Sequence, residues 1–273
     1  MERRKELKEI EEIPAISRPM FYEIIHETEN PRDKQIMAMF HLLANRCSEG
    51  LAVEAGDVHL EVAVQILDEE LMSLQDRLGR LRTEVDVGTS LGRDVSEPRK
   101  ELGEFFNVYQ EMNDLRVKWD RPGQTMETAD EIAKRYPQTL VYVVKLITLK
   151  RKKRIPRNIP VPVVDPLAPL FVEAVKRESE SSLFGITRQR VWQIFKKAGI
   201  YSFYKDQGYP VPKNPLRHAR LSEVSNVLNR VQLDRFAGWK IKGTADKYIH
   251  LRWDDFVGPL VQVARRSPPI NVD

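Results

Sequence analysis

Two side chains near the end of this chain suit one kind of chemistry. They are Arg217 and Tyr248, set in the basic stretch N-P-L-R-H-A-R … F-A-G-W-K … D-K-Y-I-H-L. A guanidinium forks onto two oxygens of a phosphodiester. A phenol oxygen can attack the phosphorus and become covalently attached. Such an attack builds negative charge on the non-bridging oxygens and leaves the departing 5′-oxygen short of a proton. Cations and a proton donor must therefore surround the phosphate, and several elements have to converge to hold them.

The periodicities show many of those elements. Val58, Leu60, Val62, Val64 and Ile66 alternate with period two, which reads as a strand or as the early part of a helix. Leu67, Leu71, Leu74, Leu78, Leu81 and Val85 then repeat as a heptad seam. After the breakers Gly88, Ser90, Gly92 and Pro98, a second apolar face follows at Leu102, Phe105, Tyr109, Met112, Leu115 and Trp119. The two stretches predict an antiparallel helical hairpin. Its seam either closes on itself or faces a second protomer or another protein. A short helix over 126–136 starts at a Thr125 cap. From Thr139 the run V-Y-V-V-K-L-I-T-L predicts a strand, followed by the basic turn K-R-K-K-R and I-P-R-N-I-P-V-P. A helix over 167–177 comes next. In the following helix Thr187 caps, Val191, Ile194 and Phe195 face the core with Trp192 as a packing residue, and Arg188, Arg190, Lys196 and Lys197 point outward.

Residues 214–248 resemble the catalytic end of the tyrosine recombinases (the phage-integrase family). There a His-x-x-Arg box precedes a Gly-His or Gly-Trp pair, and the nucleophilic tyrosine follows nine residues later. Trp239 and Tyr248 have that spacing, Asn214 stands where the family usually has His, and His218 sits where a second histidine is common. Residues 30–58 are similar to the family's first arginine box, a buried helix leading into a Gly-x-Arg-x-Ser-Glu-Leu turn and a short strand. Arg46, Ser48, Glu49 and Asp57 fall in order, while Asn45 and Gly50 depart from the pattern. Aligning I-P-V-P with the family's hairpin places Lys152 at the catalytic lysine, with Lys150 and Lys153 close enough in register to exchange with it.

The resemblance spans 17–58 and 139–251. It implies a mainly helical α+β catalytic fold with a small antiparallel sheet, into which the helical hairpin is inserted. The expected organisation is a charged helix or linker at 1–16, catalytic segments at 17–66 and 138–251, the insertion at 67–137, and a tail at 252–273. In the family such a tail docks on a neighbouring protomer, and Trp253, Phe256, Leu260 and Val261 stand here at helical spacing, a strip that would either dock in that way or fold back onto its own domain. Family members carry a DNA-clamping domain ahead of the catalytic one. Either it lies outside these residues or the insertion substitutes for it in part.

The implied roles are specific. Arg46 and Arg217 clamp the phosphate, Lys152 protonates the leaving oxygen, and Trp239 holds a phosphate oxygen. Asn214 positions the phosphate, with His218, Lys213 or water moving the proton, unless His218 is a structural histidine bonded to the backbone, and Tyr248 forms a 3′-phosphotyrosine. Lys150, Arg151, Lys153, Arg154, Arg188, Arg190, Lys213 and His218 are expected to contact DNA. That covalent bond conserves the phosphodiester energy, so neither a cofactor nor a metal is expected.

Composition agrees. The 273 residues carry a net charge of +4, unevenly spread. Residues 1–140 hold 19 basic and 29 acidic side chains, and residues 141–273 hold 25 and 11. The basic half contains most of the catalytic candidates and points to double-stranded DNA as partner. No apolar run is long enough to span a membrane, and no secretion signal opens the chain. The single cysteine, Cys47, fits a reducing cytoplasm and reads as a small hydrophobe at a buried turn. The leading expectation is a site-specific recombinase acting as a homo-tetramer on DNA. Type IB topoisomerase-like relaxation, a DNA-binding relative without catalysis, and a basic DNA- or RNA-binding module with a structural tyrosine are the alternatives.

Overall fold

The computed structural model describes residues 13–120, 125–147, 156–177, 182–239 and 251–266. Helix α2 (Pro31–Leu42) lies at its centre. Asn30 starts it by accepting from the Asp33 N–H at 3.1 Å, and Pro31 occupies the first turn, where no amide is needed. Nine of its 12 residues are buried, so it presents no polar stripe and runs through the interior. Helices α1 (Arg18–Glu27), α7 (Ala168–Arg177) and α10 (Pro215–Val224) pack around it.

Strands β1 (Val58–Val62), β2 (Leu140–Ile147) and β3 (Pro156–Pro162) form an antiparallel sheet with β2 in the middle. Val58 pairs with Val144 and Val62 with Leu140; on the other side Val141 pairs with Pro162 and Ile147 with Pro156. Val144 and Leu146 enter the main core, while Val141 and Val143 enter a second cluster on the opposite face. A strand buried on both faces loses the apolar–polar alternation, and hence reads as a continuous apolar run. The molecule is thus mainly helical with a small antiparallel sheet, as expected. The alternation over 58–66 resolves into both readings, with a strand to Val62 and a helix from Val64.

Helices α4 (Val64–Ser90) and α5 (Ser96–Trp119) run antiparallel, and their seams face each other. Leu67, Met112 and Leu115 are buried together with Ile132 of α6 (Thr125–Arg135), which closes the base of the hairpin. Arg116 Nε meets Asp68 Oδ1 at 2.5 Å, and the Arg77 guanidinium lies 3.9 Å from the Phe105 ring centre. The hairpin therefore uses the heptad seam internally.

The tail requires a correction. It was expected to dock on a neighbouring protomer, but α12 (Val257–Arg265) packs on its own domain. Val257, Leu260 and Val261 are fully buried, and Phe256 nearly so. Val257 and Val261 cover Val141, Val143 and Ile66. The physical reason is the second face of the sheet, which this helix shields from water.

A buried ionic group fixes α10, the helix that carries Arg217. Arg18 reaches Asp165 at 2.6 Å and Glu223 at 2.9 Å, and Arg220 reaches Glu223 at 2.6 Å. His41, almost fully buried on α2, lies 3.4 Å from Glu223 Oε2. Arg18 ties α1 to the Asp165 turn and to α10 in one network.

Candidate active site

The chain leaves α2 through Ala44, whose φ of 43° is the left-handed region that alanine seldom adopts. Arg46 then caps the short helix α3 (Cys47–Gly50). Its N–H donates to Glu49 Oε2 at 2.9 Å, and its Nη1 to Oε1 at 2.6 Å. Gly50 packs closely here: a Cβ would sit 2.0 Å from the Asn45 side-chain nitrogen and 3.0 Å from the Phe40 ring, so a larger residue at this position would have to displace Asn45. Asn214, at the start of α10, accepts from the Cys47 N–H at 3.2 Å and joins α10 to the Arg46 turn. An amide oxygen suffices for that bond.

Arg217 is buried and bridges two backbone segments. Nη1 donates to the Ala44 carbonyl at 2.5 Å and Nη2 to the Ala237 carbonyl at 2.7 Å. Arg157 on β3 does something similar, donating to the Phe236 carbonyl and, at 3.1 Å, to Glu49 Oε2. Both carbonyls end α11 (Arg230–Ala237). The last carbonyls of a helix lack intrahelical partners and carry its negative dipole end, which favours cations there. Gly238 takes the left-handed conformation (φ 66°) that turns the chain out of the helix. Its N–H bonds the Arg235 carbonyl, and the Trp239 N–H bonds that of Asp234 at 2.7 Å. Two arginines and a glycine cap thereby set where the segment leading to Tyr248 begins.

Arg46 and Arg157 thus share one carboxylate, Glu49, while Arg217 lies close enough to feel its charge without bonding it. Burial, with Arg157 and Arg46 nearby, brings Arg217 down to about 10, against the pull of Glu49. Burial also brings Arg157 down to about 10, opposed by Glu49 and assisted by Arg46. For Glu49, burial would raise the carboxyl, but the Arg46 amide and the Arg157 and Arg46 guanidinium groups hold it below its ordinary value. The cluster carries more positive charge than one carboxylate can balance, and such a surplus suits an anion.

Arg46 and Arg217 line one cleft of about 310 Å³, together with Asn214, Lys213 and Arg188. Trp239, more than a third exposed, borders a neighbouring hollow of about 210 Å³ with Arg157 and Trp253. No family model, curated protein or solved structure matches this chain.

Several expected residues are not at the cleft. His218 turns away and its Nε2 lies 3.1 Å from the Ile13 carbonyl. It is a tie to the N-terminal segment, which corrects its reading as a DNA contact. Arg190, on α8 (Arg188–Lys197), is exposed and 3.6 Å from Asp33. Trp192 was read as a packing residue but is 48% exposed and lines the cleft, a second correction. The rest of α8 follows expectation: Thr187 accepts from the Arg190 N–H, Val191, Ile194 and Phe195 are buried, and Lys196 and Lys197 are exposed. Cys47 is only half-buried and borders the cleft; burial pushes its thiol up, against the pull of Arg188. Lys150, Arg151, Lys152, Lys153, Arg154 and Tyr248 lie outside the described residues. Ile147 and Pro156 pair directly, so the two ends of the segment carrying the lysines meet beside Arg157.

Arg157 and the bridging role of Glu49 were not anticipated from sequence. Arg157 does carry a signal, since it shares its strand face with the core residues Ile159 and Val161. An arginine at an inward register position needs buried partners, which marks it off from the solvated basic run before it.

Proposed function

We propose that this chain cuts and rejoins double-stranded DNA through a 3′-phosphotyrosine on Tyr248, with the catalytic fold of the tyrosine recombinases. The observation that carries the reading is the cleft. Arg46 and Arg217, far apart in sequence, line it together within a cluster rich in positive charge. Preorganised cations aimed at a phosphate supply the largest share of catalysis in such a reaction. Arg46 and Arg217 hold the non-bridging oxygens while the Tyr248 hydroxyl gives its proton to water, its oxygen bonds to phosphorus and the bond from phosphorus to the 5′-oxygen breaks. Lys152 gives the departing oxygen its proton. Arg157 is a positioning residue, holding Glu49 and the end of α11 from β3. Attack by the freed 5′-hydroxyl reverses the sequence and releases the tyrosine.

The biological outcome proposed is recombination between sites by a tetramer on DNA. The burial of α12 in its own fold removes one support for that assembly and favours the second reading, relaxation of DNA by a monomer. A pool of duplexes of random sequence, each with a nick, tests the chemistry. Protein-linked strands should be recovered after denaturation, and Tyr248→Phe should yield none while still retaining DNA. An equal yield from both proteins would exclude Tyr248 as the nucleophile. Sites recovered in this way, placed in a plasmid, then distinguish strand exchange from relaxation.

A further inference from the structure

The cleft contains features that holding a phosphate does not require. Trp192 stands among buried neighbours on α8, yet it is 48% exposed. Its ring centre is 5.9 Å from that of Tyr201 on α9 (Ile200–Asp206), tilted by 49°, and Lys196 Nζ lies 5.2 Å from it. Both rings line the cleft. Asn45 is 1% exposed, and neither its amide oxygen nor its amide nitrogen has a hydrogen-bond partner among the described residues. It also borders the cleft. A buried amide left unpaired is costly, and a donor beside an acceptor suits the edge of a base. Aromatic rings next to cations are what a nucleobase with its phosphate stacks on. None of the described residues lining the cleft is acidic.

We propose that this cleft receives the base of one DNA nucleotide taken out of the stack. Trp192 and Tyr201 stack on the base, Asn45 pairs with its edge, and Arg46 and Arg188 hold the adjoining phosphate. The volume of about 310 Å³ is at the small end of ligand pockets, where one nucleotide fits and a duplex does not. Eversion is least costly where the base lacks a proper partner. The proposal rests on the DNA reading above and commits to a nucleotide within DNA as the occupant.

The test uses the full chain carrying Tyr248→Phe, which allows binding without cleavage. One duplex carries 5-iododeoxyuridine opposite an abasic site, the other is fully paired, and a distant dye reports binding by anisotropy. Irradiation should crosslink the first duplex to a peptide containing Trp192 or Tyr201. Trp192→Ala should reduce the preference for the first duplex over the second roughly tenfold, the scale of one lost base–aromatic stack. Arg188→Gln, at an exposed position, should lower the crosslink yield in a protein with an unchanged melting temperature. If DNA is bound but crosslinks fall elsewhere, or neither variant changes the result, the pocket is wrong and the DNA reading stands. If neither duplex is bound, both fall. If free thymidine monophosphate competes as tightly as the duplex, the pocket belongs to a free nucleotide and the assignment to DNA is overturned.

Discussion

Arg46 and Arg217 line the same cleft, but their surroundings predict different consequences when each is replaced. Arg217 satisfies two backbone carbonyls, those of Ala44 and Ala237. Lysine keeps the charge but has one compact head and cannot span both. Arg217→Lys should therefore lower the rate of adduct formation by about 10²–10³, the usual cost of a lost stabilising donor. It should also cost about 1–3 kcal/mol of stability for a carbonyl left unpaired. Arg46 is half-buried and its Nη1 bonds Glu49, which Arg157 also holds. Arg46→Lys should lower the rate by a similar factor with little loss of stability. Single-turnover adduct assays alongside urea unfolding separate the two effects. Equal stability losses in both variants would mean that the carbonyl bridge contributes nothing particular.

Among the elements, α12 and the α4–α5 hairpin show how an apolar pattern leaves its occupant open. The tail residues could cover a neighbour or their own domain; Val257 and Val261 cover the second face of the sheet, and Leu260 enters the main core. Each fully buried side chain of this size contributes roughly 1.5–3 kcal/mol, so together they rival the total stability of an ordinary domain, about 5–15 kcal/mol. Removing residues 253–273 should accordingly abolish or sharply weaken folding of the free chain, seen as a loss of the thermal unfolding transition. An unaffected melting temperature, with multimers on DNA lost, would restore the role in trans. The hairpin differs in having its own partner next to it in the chain. Its connection is short, so two seams meet at little entropic cost.

At the scale of the whole molecule, acid should destabilise the protein in two steps. Burial holds the His41 imidazole below its ordinary pKa, against the pull of Glu223. A lowered pKa means the unfolded state binds more protons, so stability is complete above an unfolded value of about 6.5 and declines below it. Burial would raise Glu223, but Arg220, His41 and Arg18 keep it well below the usual carboxylate range. Glu49 is lowered too. Their contributions are present above an unfolded value of about 4.3 and are lost as the pH falls past it. Urea midpoints from pH 8 to about 2.5 should show a first decline below about 6.5 and a steeper one below about 4.3. His41→Leu should remove the first decline only; persistence of that decline would assign it to another group.

The chain's own periodicities determined the order and type of most elements: the seam at Leu67–Leu81, the Thr187 cap, the strand after Thr139. These are local properties, set by side chains a few positions apart, so the sequence contains them directly. Arg46 and Arg217 also stood out in the sequence, and both line one cleft. Only the tertiary structure decided which groups meet. It brought Arg157 to Glu49 and to the end of α11, turned His218 away toward Ile13, opened Trp192 onto the cleft and folded α12 back on the sheet. Each of these outcomes depends on contacts between distant segments. A side chain's type says what partner it needs once buried, and only the packing of the elements says which partner is within reach.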